Sequence, residues 1–144
     1  MASDFANDIL GIYKNHSSKL CAKFRVKFEN ETSVGSGPMR EFFSLVMKMI
    51  LDGFPLDGEE RSKTLVFEGE NDHKVPVANS LLRSTGFYKC IGRMIAHSFL
   101  HAGSPLFGIS KVVVDYLVCD KDEIPLIEIV DIPDIDLRIA LNEV

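Results

Sequence analysis

Apolar residues recur at helical spacing at the start of the chain. Phe5, Ile9, Leu10, Ile12 and Tyr13 follow Ser3, a residue type that caps helices, until the polar run 15–18 interrupts them. The period then changes to two: Phe24, Val26 and Phe28 alternate with Lys23, Arg25 and Lys27, which predicts an antiparallel strand with one wet face. Pro38 stands where a first helical turn tolerates proline. Behind it Phe42, Leu45, Val46, Met49 and Ile50 form a broad stripe that stops at Gly53. The runs 64–69 and 73–77, joined through the turn-forming Asn71 and Asp72, predict a short hairpin in which Pro76 restricts its strand to an edge.

A second long helix is predicted from Asn79 or Ser84 to a stop at Gly103. It is apolar on nearly every face and therefore expected to be the central, most buried helix. Ser110 can cap the run 111–118, whose β-branched residues fit a short helix or a strand. The tail alternates apolar and acidic residues around Pro125 and Pro133 and predicts short turns of helix. The sum is an α+β fold, mainly α-helical with short antiparallel strands, over a single domain 1–144 without repeat or linker.

Composition narrows the classes. With 46% hydrophobic and 26% charged residues the chain can bury a globular core. A net charge of −5 argues against generic nucleic-acid binding, although Lys14, Lys19, Lys23, Arg25 and Lys27 cluster early. The acids Asp120, Asp122, Glu123, Glu128, Asp131, Asp134 and Asp136 crowd the end. Cys21, Cys90 and Cys119 are odd in number and in no CxxC pair, as expected of reduced thiols. The beginning of the chain has no signal-peptide pattern, and no apolar run approaches the roughly 18 residues of a membrane span. The expectation is a soluble protein of the nucleus or cytoplasm, with neither nucleic acid nor membrane as partner.

The candidate chemistry is sparse. Residues 33–43 hold Gly35 and Gly37 before an apolar run, but Gly37 is followed by Pro38, Met39, Arg40 and Glu41 rather than the Lys and Ser/Thr of a phosphate loop. The dinucleotide pattern fails as well, because Arg40 stands where the third glycine belongs. His97 and His101 share a helix face as in HExxH, yet the glutamate is missing and no third ligand is in register, so no metal is expected. Cys90 lies within an apolar helix, which disfavours a thiolate, and Cys119 has no better setting. Neither a catalytic residue nor a cofactor is expected.

Three stretches in order, 26–43, 87–106 and 129–141, resemble successive landmarks of the amino-terminal lobe of HECT-type ubiquitin ligases. In that family a strand ending in Phe and Glu leads to D-x-G-G-x-x-R-E and an aromatic helix; here Phe28, Glu31, Gly37, Arg40, Glu41, Phe42 and Phe43 match. The family's later I-G-R is matched by Ile91, Gly92 and Arg93. On this reading Gly37 permits the strand-to-helix turn, Glu41 suits a helix amino terminus and Gly92 permits close helix approach. Val34 and Ser36 depart from the family's aspartate and first glycine, which marks a divergent member.

The resemblance implies the first part of such a lobe, with the E2-binding insertion and the catalytic lobe lying beyond. The family's catalytic cysteine follows a threonine, whereas Cys21 follows Leu20, Cys90 follows Lys89 and Cys119 follows Val118. The implied function is scaffold: the parent passes ubiquitin from an E2, through a cysteine thioester, to a substrate lysine. The alternative is a catalytically inactive HECT-like interaction module. A ubiquitin exosite near the start of the central helix would involve Phe87 or Tyr88. Ile124, Leu126, Ile127, Ile129 and Val130 are too many apolar residues for a solvated tail, so self-association through it is expected.

Overall fold

The computed structural model describes residues 2–15, 20–22, 25–28, 36–56, 62–120 and 123–143. It is a small α+β protein: α1 (Ala2–Asn15), α2 (Gly37–Asp52), β1 (Phe67–Glu68), β2 (Val75–Pro76), α3 (Ser80–Ser84), α4 (Phe87–Leu100), α5 (Lys111–Val118), a 3₁₀ turn (Ile129–Asp131) and α6 (Ile135–Asn142). The residues fall into two compact units, Met1–Val66 with Asn79–Leu106, and Phe67–Ala78 with Phe107–Val144. No described helix is long and apolar enough to cross a membrane.

The first unit is built on α4, which packs against α1, α2 and α3. Ala6, Ile9 and Tyr13 of α1 are buried, as are Phe42, Phe43, Val46, Met47 and Ile50 of α2 and Cys90, Ile91 and Met94 of α4. The buried stripe of α2 is turned slightly from the expected one: Leu45 is exposed and Met49 only half-buried. Pro38 opens α2 as expected, and Gly53 ends it with φ 95° while its N–H donates to the Met49 carbonyl. Phe54 then pairs with Thr64 in an antiparallel bridge. α1 starts at Ala2, ahead of Ser3, whose side chain lies outside the described residues.

Six expectations need correction. The predicted strand 23–28 is absent where it is described: residues 25–28 alternate in burial but pair with no described strand. The long helix 79–103 is two helices, because Gly86 adopts φ 72° ahead of α4, and Asn79 caps the short α3 through Leu81 and Leu82 N–H. α4 is central without being buried all round: Gly92, Phe99 and Leu100 are exposed. Gly92 gives no close approach, since a Cβ there would meet nothing within 4 Å. Gly37 likewise has open space and no positive φ, and Glu41 lies beyond the first turn of α2.

The glycine that does permit contact is Gly103, whose added Cβ would lie 2.5 Å from the buried Phe43 ring and 2.6 Å from Ser98 Oγ. It is also not the left-handed residue of its helix end. Ala102 takes that conformation, with φ 50°. Its N–H donates to the Phe99 carbonyl and the Gly103 N–H to the Ser98 carbonyl, the paired bonds of a Schellman cap.

The second unit starts from the expected hairpin, with Phe67 opposite Pro76 and Glu68 opposite Val75. Gly69, at φ 102°, approaches the His73 carbonyl so closely that a Cβ there would lie 2.7 Å from it. On the other side of β2, Lys74 pairs in parallel with Ile109: Lys74 N–H donates to the Gly108 carbonyl and Ser110 N–H to the Lys74 carbonyl, both at 2.9 Å. Pro76, without an N–H, falls beyond this pairing, consistent with its edge role. Residues 111–118 are helical, as Ser110 Oγ accepts from Val112 N–H at 3.1 Å. The tail forms short helical turns, with Asp134 capping α6 through Leu137 N–H.

Three substitutions check these backbone assignments. Gly92→Ala should stabilise the chain by about 0.5–1 kcal/mol, as in any exposed helix interior. Ala102→Gly should gain roughly 1 kcal/mol by relieving a left-handed alanine. Gly103→Ala should cost about 1–3 kcal/mol by overpacking Phe43. Thermal unfolding of the three variants beside the wild type gives each sign directly.

Candidate functional site

Two clusters of polar groups are buried, one in each unit. In the first, the Tyr13 hydroxyl on α1 lies 2.7 Å from His97 Nδ1 on α4. Burial holds the phenol protonated, well above its ordinary range. The phenol therefore donates to Nδ1, which places the ring proton of a neutral His97 on Nε2. Burial, and then the charge of neighbouring His101, lower the His97 pKa from 6.5 to about 4. His97 and His101 meet edge to face with centroids 4.7 Å apart, and Phe43 packs on both. His101 donates through Nε2 to the Leu20 carbonyl at 2.9 Å.

The pair thus lies on one face, as the spacing required, but each ring already commits a nitrogen to a protein partner. Among the described residues no group of three or more His, Cys, Asp or Glu comes together that could hold a metal. The cluster positions helices. Arg93 Nη1 adds to it by donating to the Tyr13 carbonyl in the last turn of α1, where a cation complements the helix dipole.

In the second unit the centre is Asp131, 7% exposed. Its Oδ1 accepts from the fully buried Ser110 hydroxyl at 2.5 Å and lies 3.2 Å from His73 Nδ1. Its Oδ2 accepts from Glu128 N–H at 2.9 Å. Burial by itself would raise this carboxyl; the bonds from Ser110 and Glu128 and the bond and charge of His73 outweigh it and hold the group below 3.8. Ser, His and Asp are together, yet not as a nucleophilic triad. That chemistry needs the serine proton directed to an imidazole. Here it goes to the carboxylate, and the hydroxyl has no exposure to a substrate.

The residues singled out from sequence are dispersed. Phe87 is half-buried against Phe54, with centroids 5.3 Å apart, and the half-buried Tyr88 donates its hydroxyl to the Val66 carbonyl at 3.4 Å. Ile91 is buried, and Gly37, Arg40, Glu41 and Gly92 are exposed. Cys90 is buried in α4, Cys119 follows the last turn of α5 and Cys21 is exposed. Residues 33–35 of the glycine segment lie outside the described residues. Sequence reasoning missed Asp131 and His73: each reads as a solvated polar residue, and only the pairing of Lys74 with Ile109 brings His73 and Ser110 into reach.

Comparison with known proteins finds no matching family model, no similar curated protein and no similar solved structure.

Between pH 6.5 and about 4 the unfolded chain binds a proton that folded His97 refuses, so this contribution is complete above pH 6.5 and is lost as pH falls through the window. Relative to His97→Asn, the wild type should lose about 2 kcal/mol more between its two ends, measured by denaturant unfolding. Asp131→Ala should cost about 2–4 kcal/mol, since it leaves the buried Ser110 hydroxyl unpaired, whereas Asp131→Asn keeps an acceptor and should cost less.

Proposed function

We propose that this chain is the scaffold part of a HECT-type ubiquitin-protein transferase. In the parent, a cysteine thiolate displaces the E2 thiol from the ubiquitin thioester, and a substrate lysine amine then displaces that cysteine to form the isopeptide bond. The observation that carries the reading is the order and spacing of the three sequence landmarks, 26–43, 87–106 and 129–141. The settings of the groups that could do chemistry support a scaffold role. The Ser110 hydroxyl is buried on a carboxylate, Cys90 is enclosed by apolar α4, and Cys119 stands at a helix end that carries partial negative charge. Ubiquitin and an E2 are then partners through the full-length protein, in the nucleus or cytoplasm. The half-buried Phe87 and Tyr88, at the start of α4, are the residues proposed for a ubiquitin exosite.

A second reading, a HECT-like interaction module without catalysis, is favoured by the apolar side chains that the second unit leaves in solvent, Ile124 at 91% and Leu126 at 83% exposure among them. One set of measurements separates the two. Incubated with E1, a panel of E2 enzymes, ATP and labelled ubiquitin, the chain should form no reducible adduct, and an adduct lost in Cys119→Ala would refute the scaffold assignment. Titrated into isotope-labelled ubiquitin, it should shift ubiquitin resonances, and Tyr88→Ala should weaken the shifts. No shifts at the highest soluble concentration would leave the interaction module as the reading.

A further inference from the structure

The second unit is inverted in polarity. Among the described residues its buried side chains are Phe67, Ser110 and Asp131, while α5 and α6 bury no residue fully. Beside α6 runs a groove of about 480 Å³ whose apolar walls are Ile129, Val130, Ile135 and Ile139. Glu70 and Arg138, paired with each other at 2.6 Å, also line it. The walls are 41–63% exposed at the three isoleucines, and apolar exposure continues along the chain through Leu126 and Ile124. That is more than a small ligand covers and too much to be left in water at no cost.

Charge identifies the occupant. The second unit carries twelve carboxylates against four lysines or arginines, a net −8, whereas the first carries nine against twelve, a net +3. Exposed Glu128, Asp136 and Glu143 directly neighbour groove residues in sequence. An anionic membrane or a nucleic acid would be repelled by such a surface. A two-fold dimer through this groove would set two acidic faces against each other, which disfavours the second copy that the apolar tail alone suggests. What complements both the aliphatic walls and the acidic border is an aliphatic stripe flanked by lysine or arginine.

We propose that the groove beside α6 seats a basic amphipathic helix of another protein. Aliphatic side chains of that helix enter between Ile129, Ile135 and Ile139, and its cations lie over Glu128, Asp136 and Glu143. The proposal does not depend on the ubiquitin reading, because it uses only the second unit's surface.

The test uses the whole 144-residue chain and a fluorescein-labelled peptide of about 18 residues, built of Leu and Lys with one apolar face. Anisotropy should show binding in the micromolar range at low salt that weakens about tenfold when ionic strength is raised from roughly 0.05 to 0.3 M. A scrambled peptide of the same composition and a Leu–Glu peptide should bind at least about tenfold more weakly. Ile135→Ser with Ile139→Ser should weaken the Leu–Lys peptide by about tenfold or more. Asp136→Lys, at an exposed position, should weaken it as well and serves if the double variant loses its unfolding transition. Equal binding of the scrambled peptide, or no effect of either variant, overturns the proposal. So does binding to phosphatidylserine-containing vesicles in place of the peptide, or a dimer seen by sedimentation that the isoleucine variants dissolve.

Discussion

A buried carboxylate organises the second unit, and its other features follow from how that charge is satisfied. Asp131 takes hydrogen bonds from the hydroxyl that caps α5, from the backbone ahead of its own 3₁₀ turn, and from the imidazole that follows the hairpin turn. Three segments far apart in sequence are thereby fixed to one pair of oxygens. An ionised group removed from water is tolerated only when its lone pairs are filled, so each segment is held to the position that fills one. The hairpin is short and α5 and α6 have only two turns each, lengths that are marginal in isolation. The polar hub, with the Arg138–Glu70 pair that ties α6 to the hairpin turn, supplies the registration that a larger apolar core would otherwise give.

The first unit solves the same problem in the usual way. Aromatic and aliphatic side chains from α1, α2 and α4 interdigitate, and the polar contact between helices inside it, Tyr13 to His97, is neutral on both sides. Neutrality is what burial enforces: the phenol resists losing its proton and the imidazole resists gaining one. Phe43 of α2 is the common partner, touching His97, His101 and the backbone at Gly103, so the end of α4 is packed against a single ring of α2.

Much of the first unit was legible because its signals are local. Pro38 and Gly53 bound α2, Asn79 opens a helix, and the stripe of α2 needed only a small rotation. Gly86 looks like part of one long helix, since a glycine inside an apolar run gives no sign of whether its φ is positive. The I-G-R match implies a packing role for Gly92, yet close approach depends on the neighbouring helix, which the sequence around it does not encode. In the second unit the hairpin and the Ser110 cap were readable, while the Asp131 hub was not. Its members lie at positions 73, 110 and 131, and nothing in the local pattern distinguishes Asp131 from the solvated acids around it.

The two units therefore differ in where their stability comes from. The first buries apolar area of its own. The second buries a satisfied charge and leaves Ile124, Leu126, Ile135 and Ile139 outside, so the hydrophobic contribution available to it is largely unspent. A hydrogen-bonded hub fixes geometry more than it adds net free energy, because its bonds replace bonds to water. Whatever covers those side chains adds to the folding of the unit by mass action, as ligands that bind only the folded state do. A surface of this kind couples recognition to order: the partner that fits the groove also stabilises the elements that form it.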